Sequence, residues 1–143
     1  MRDGLHAGFV GLGDMGAPMA RHLLGRGFPT IVADVRADAV AALVTAGAKP
    51  AESPAETADG ADVIAVCVVD DAQATSVITG ENGLCSRLRT GQAVVLHSSV
   101  RPETVTTATI LFPHFGHRVI RSMRSSRLPV TELFESNSCR IDP

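Results

Sequence analysis

The feature that most constrains this chain is an apolar run that ends in a glycine-rich turn and then opens a helix. Leu5 to Val10 predicts a buried strand, and Gly11, Gly13 and Gly16 follow it as G-x-G-x-x-G. Behind the turn, Met15, Met19 and Leu23 recur four apart, the spacing of one helix face. At such a junction the first glycine permits the tight turn and the second lets the backbone approach a pyrophosphate. The third lets helix and strand pack closely, while the helix start offers N–H groups that have no partner within the helix. Gly11, Leu12, Gly13, Asp14, Met15 and Gly16 are therefore expected to form the phosphate cradle of a dinucleotide site.

The chain beyond the turn repeats the same grammar. Gly25-Arg26-Gly27 ends the first helix, and Ile31-Val32-Ala33 reads as a second strand that delivers Asp34 to its end. Asp34 lies where an acid can accept hydrogen bonds from an adenosine ribose; taken alone, it could equally be a capping or surface carboxylate. Val40, Leu43 and Val44 mark a helix over Asp38 to Ala46, and Gly47 suits its end. Ser53-Pro54-Ala55-Glu56 predicts a capping box and a short helix. Val63 to Val69 looks like a parallel strand buried on both faces. Asp70 and Asp71 then favour the start of a weak helix over Ala72 to Ile78, a reading preferred to acid–base or metal chemistry. Ala93 to Leu96 is a further strand, and Pro102-Glu103 suits the first turn of a helix running towards Gly116. Alternating strands and helices predict a doubly wound α/β fold with a parallel sheet, Rossmann-like, whose ligands bind beyond the C-terminal strand ends.

Composition narrows the function. The 143 residues suit one domain with one core. Five Phe and no Trp or Tyr leave few platforms for stacking bases, and the net charge is −2, so no nucleic-acid partner is expected. No apolar stretch reaches membrane-spanning length, so no membrane partner is expected, and Met1-Arg2-Asp3-Gly4 leads straight into the strand without a signal peptide. Cys67, Cys85 and Cys139 have no C-x-x-C spacing, which argues against a disulfide framework or a zinc site and favours a cytoplasmic setting. No metal site is expected.

Phe9-Val10-Gly11-Leu12-Gly13-Asp14-Met15-Gly16-Ala17-Pro18-Met19-Ala20 resembles the N-terminal signature of the β-hydroxyacid dehydrogenases. That family includes 3-hydroxyisobutyrate dehydrogenase and tartronate semialdehyde reductase and is related to 6-phosphogluconate dehydrogenase. The resemblance implies an NAD(P)-binding domain of an oxidoreductase that moves hydride between nicotinamide and a short 3-hydroxy acid or semialdehyde. Asp34-Val35 is similar to the acid-ended second strand of NAD-preferring members, while Arg36 leaves room for NADP. Val68-Val69 stands where the family commonly has Leu-Pro in a cofactor-contacting loop, and Gln73 where some members place a polar contact. His97-Ser98-Ser99-Val100-Arg101-Pro102 is similar to the segment near the nicotinamide, which puts Ser99 at the cofactor and Ser98 on the substrate side. Both serines could instead merely cap the following helix. His97 is read as a satisfied histidine at a strand end, and His22 as a solvent-facing helix residue.

The resemblance extends to about residue 120. Arg121-Ser122-Met123-Arg124-Ser125-Ser126-Arg127 retains nothing of the family's D-A-P-V-S-G-G substrate segment. Lys49 is the sole lysine, and it lies upstream of where the family carries its catalytic one. Residues 1–120 are thus expected to form the NAD(P)-binding domain and 121–143 an irregular tail from a truncated or frame-shifted product. The family's all-helical C-terminal domain is expected to be lacking, with no catalytic residue in the chain. A second expectation is a dinucleotide-binding module without catalysis, and exposed apolar surface would favour self-association.

Overall fold

In the computed structural model, residues 4–104 and the strand at 118–121 are described. The chain runs β1 (Ala7–Val10), α1 (Gly16–Gly25), β2 (Thr30–Ala33), α2 (Ala37–Thr45), β3 (Lys49–Pro50), α3 (Pro54–Gly60), β4 (Val63–Val66), α4 (Asp71–Thr79), β5 (Ala93–Leu96) and β6 (Arg118–Arg121). A 3-10 turn at Leu84–Ser86 lies between α4 and β5, and a helical turn opens at Pro102. The six strands form one sheet in the order β3-β2-β1-β4-β5-β6, and every pairing is parallel. The chain starts in the middle of the sheet, winds outward to β3, and returns to β4 on the other side of β1. This is the doubly wound arrangement expected from the strand–helix alternation.

Alternation along the strands divides the core in two. Phe9, Val32 and Ala65 face the layer of α1 and α2, where they pack with Ala20, Leu43 and Ala48. Val10, Ile31, Ala33, Ile64, Val66, Val94 and Leu96 face the opposite layer and meet Ala58 of α3 and Ala74 and Ile78 of α4. Both faces of the central strands are covered, so β1 and β4 read as continuous apolar runs.

Local chemistry accounts for most boundaries. Ser53 accepts from the Glu56 N–H at 3.2 Å with Pro54 at the first helical position, and the Glu56 carboxylate reaches back to the Glu52 N–H, one residue before the cap. Asp70 is the cap of α4, accepting from the Gln73 N–H at 2.8 Å. The structure departs from the sequence expectation at three places. Met15 precedes α1 instead of lying on its inner face and is 64 % exposed. β4 ends at Val66 and not Val69, because Cys67 to Val69 leave the sheet. Lys49-Pro50, which has no strand pattern in the sequence, forms a two-residue edge strand beside β2. The expected helix towards Gly116 and the tail after Arg121 lie outside the described residues.

Candidate functional site

The C-terminal ends of β1, β2 and β4, with the start of α4, enclose a cleft of about 670 Å³. Its floor is the turn after β1. The Gly11 N–H donates to the Ala33 carbonyl at 3.0 Å, which binds the turn to β2. Gly11 has φ +93°, and a Cβ there would collide with the Cys67 carbonyl at the end of β4. Gly16 lies so close to the Gly11 carbonyl and the Cys67 side chain that a methyl group would overlap them. These two glycines are demanded by the protein's own packing. Gly13 is different: nothing lies within 4 Å of its virtual Cβ, and it lines the open cleft. The fold alone therefore gives no steric reason for glycine at this position.

The polar character of the turn matches an anion. No described residue accepts from the N–H of Gly13, Asp14 or Met15, which sit at the start of α1. Unpaired N–H groups at a helix start, beside a glycine with space above it, form a receptor for phosphate oxygens. The residues present thus fit the pyrophosphate of a dinucleotide.

Asp34 lies at the end of β2 with its side chain 9 % exposed. Its Oδ2 accepts from the Leu12 N–H at 2.6 Å and its Oδ1 from the Arg36 N–H at 2.8 Å. The Arg36 guanidinium lies 3.5 Å from Oδ1 and donates to the Leu12 carbonyl at 3.0 Å. Carboxylate oxygens carry about four acceptor sites together, so Asp34 retains capacity for a ribose hydroxyl. Val35 and Val69, among the most exposed large apolar residues, line the cleft with Asp34 and Val68. Gln73 also lines it, and its side-chain oxygen accepts from the Val69 N–H at 3.2 Å.

The structure brings most of the expected site residues together. Gly11, Gly13, Asp14, Asp34, Val35, Val68, Val69 and Gln73 share one cleft. Leu12 points its side chain into the α1–α2 core and presents only its peptide groups to the site. Ser98 is buried, and its hydroxyl accepts from the Val68 N–H at 2.8 Å, which joins the loops after β4 and β5. Ser99 is exposed and outside the cleft lining. Glu52, Ser53 and Pro54, from the β3–α3 connection, complete the wall and were missed. In the sequence Ser53 reads only as a helix cap, and nothing local signals that β3 brings this turn to the same edge.

Three other reactive side chains lie near the strand ends. Burial pushes the Cys67 thiol up to about 11, so it is not a thiolate at neutral pH. His97 lies just beyond β5, its N–H on the Val66 carbonyl, and burial lowers its pKa, which favours the neutral ring. Asp71 accepts from the Arg101 N–H at 2.8 Å and from the Thr104 hydroxyl, tying α4 to the turn after β5. Among the described residues no group of three His, Cys, Asp or Glu could hold a metal, and no helix is long and apolar enough to cross a membrane.

Known proteins are similar to this chain in sequence and in fold. An uncharacterized oxidoreductase of Mycobacterium tuberculosis is 44 % identical over 113 residues, 78 % of this chain and 38 % of its own length. The 3-sulfolactaldehyde reductase of Escherichia coli is 43 % identical over 94 residues, 66 % of this chain and 32 % of its own. The crystal structure of 3-hydroxyisobutyrate dehydrogenase from Salmonella typhimurium superposes with a TM-score of 0.70 at 31 % identity, covering 81 % of this chain and 40 % of that one. The structure of Psf3 in complex with NADP+ gives 0.73 at 28 %, covering 79 % and 40 %. The chain therefore spans about a third to two fifths of the length of these proteins. Residues 6–118 match the family described as the NAD binding domain of 6-phosphogluconate dehydrogenase, and they contain every wall of the cleft. It is to this family of NAD(P)-binding domains that the chain belongs.

Proposed function

We propose that the chain is the cofactor half of an oxidoreductase and binds NAD in the cleft between the glycine turn and α4. The observation that carries this reading is the contrast among the three glycines. Two are filled by the fold, while Gly13 faces open space beside unpaired N–H groups. In this reading the N–H groups of Gly13, Asp14 and Met15 hold the pyrophosphate, with Gly11 and Gly16 shaping the turn. Asp34 accepts from the adenosine ribose, and Val35 covers the adenine. Val68, Val69 and Gln73 form the wall along which the dinucleotide runs towards Ser98 and Ser99.

Bound nicotinamide supplies or accepts a hydride; the chain's part is to orient it and exclude water on the α4 side. By analogy with the similar 3-hydroxyisobutyrate dehydrogenase and 3-sulfolactaldehyde reductase, the substrate is a short 3-hydroxy acid or its semialdehyde. Among the described residues, none that lines the cleft is a lysine or a histidine, and in this reading the 143 residues bind cofactor without turning over substrate. Self-association belongs to the same proposal, supported by an apolar hollow bordered by Met19, Leu23, Val63 and Val95 beside α1.

Calorimetric titration of the purified chain with NADH and NADPH tests the reading. Saturable one-to-one binding without semialdehyde reduction is expected. Absence of binding to either dinucleotide overturns the site, and robust reduction by the chain alone overturns the division of labour. Sedimentation over a concentration series tests association, and a monomer throughout rejects it.

A further inference from the structure

The cradle has a fastening that the glycine motif does not contain. Leu12, the residue between the first two glycines, is held at both of its peptide groups by the turn after β2. Its N–H donates to Asp34 Oδ2 at 2.6 Å, and its carbonyl accepts from Arg36 Nη2 at 3.0 Å. Arg36 also lies 3.5 Å from Asp34 Oδ1 through Nε, so one guanidinium spans the carbonyl and the carboxylate. The planar fork of arginine suits this bridging, because its N–H groups point in fixed directions. The geometry points to Arg36 as a positioning residue that clasps the turn, so that the Gly13, Asp14 and Met15 N–H groups are aimed before a pyrophosphate arrives.

Several observations favour this role over a direct phosphate contact. The guanidinium already donates to Leu12 and pairs with Asp34, while its side chain remains 55 % exposed. Asp14, Asp34 and Glu52 line the same cleft, and Arg36 is the one arginine among its described lining residues. Leu12 is anchored on its other side by its own side chain, which is 2 % exposed in the core. With the side chain fixed, the two peptide bonds set the remaining freedom of the turn. Such preorganisation aids binding by lowering the ordering cost that the ligand must otherwise meet.

The proposal rests on the glycine turn being the pyrophosphate site, and its test keeps the two apart. R36A and R36K are compared with the parent protein by amide hydrogen exchange in the free state and by titration with NADH. R36K keeps the charge but lacks the rigid fork that reaches the carbonyl and the carboxylate from separate nitrogens. Faster exchange at the Leu12 amide is expected in both variants, with NADH binding weakened on the order of tenfold. Full recovery of NADH binding by R36K overturns the clasp in favour of a charge effect, and unchanged Leu12 exchange in R36A overturns it outright. Failure of the parent protein to bind NADH sinks the pyrophosphate reading instead, while the exchange comparison still decides whether Arg36 holds the turn.

Discussion

Three glycines of one motif meet three different environments, and substitution should separate them. Gly11 has φ +93° and abuts the Cys67 carbonyl, while Gly16 abuts the Gly11 carbonyl. Alanine at either position forces backbone apart and is expected to cost about 1–3 kcal/mol of stability. Gly13 has no such neighbour, so G13A is expected to melt close to the parent protein while its methyl group obstructs the cradle. Thermal melts paired with NADH titration check the separation: G11A and G16A lose stability, whereas G13A loses binding. A G13A protein that binds NADH normally would refute the pyrophosphate placement. Ser98 offers a second residue-scale test. Its buried hydroxyl accepts the Val68 N–H, and S98A leaves that donor without a partner at an expected cost of about 1–3 kcal/mol. Because Val68 also walls the cleft, NADH affinity should fall together with the melting temperature. A silent S98A would show that the two loops are held by their strands alone.

At the scale of elements, the two acids after β4 divide their duties. Asp70 caps α4, and Asp71 reaches across to the turn after β5. The Thr104 hydroxyl and the Arg101 N–H and charge hold the Asp71 carboxyl below the usual carboxylate range. A carboxyl lowered by folding stabilises the fold above its unfolded value and loses that contribution as pH falls through the folded one. Stability is therefore expected to drop below about pH 4 as Asp71 protonates. D71N should melt lower at neutral pH and show a shallower decline as pH falls below about 4. Identical pH profiles for both proteins would rule out this tie as a contributor. The pair also shows what the sequence can carry. Adjacency to an apolar run was enough to place acids at a helix start, because capping is local in the chain. The bond from Asp71 to Thr104 spans thirty-three positions and depends on β4 and β5 being neighbours. β3 escaped for a related reason: two exposed residues at a sheet edge have no apolar pattern to read.

At the scale of the whole molecule, the sheet order decides which segments share an edge, and this explains the uneven legibility of the site. Gly11 to Gly16 and Asp34 were readable because each sits at the end of an apolar strand and has chemistry suited to its position. Glu52, the bond from Arg36 to Leu12 and the bond from Val68 to Ser98 emerge only when β3, β2, β1, β4 and β5 are laid side by side. The assembled edge then predicts a cofactor preference that no single residue states. Asp14, Asp34 and Glu52 line the cleft against Arg36, and Arg36 already donates to Leu12. A 2′-phosphate would bring further negative charge to an end of the site that is already acidic, so NADH is expected to bind more tightly than NADPH. Ligand that binds only the folded state adds stability by mass action, about 2.7 kcal/mol at a hundredfold excess over Kd. Equal concentrations of the two cofactors should therefore raise the melting temperature by several degrees for NADH and by less for NADPH. Added salt should narrow the difference, because screening weakens the repulsion felt by the extra phosphate. A larger shift with NADPH at low salt would mean that Arg36 leaves the Leu12 carbonyl to take the phosphate, and would reverse the assignment of NAD.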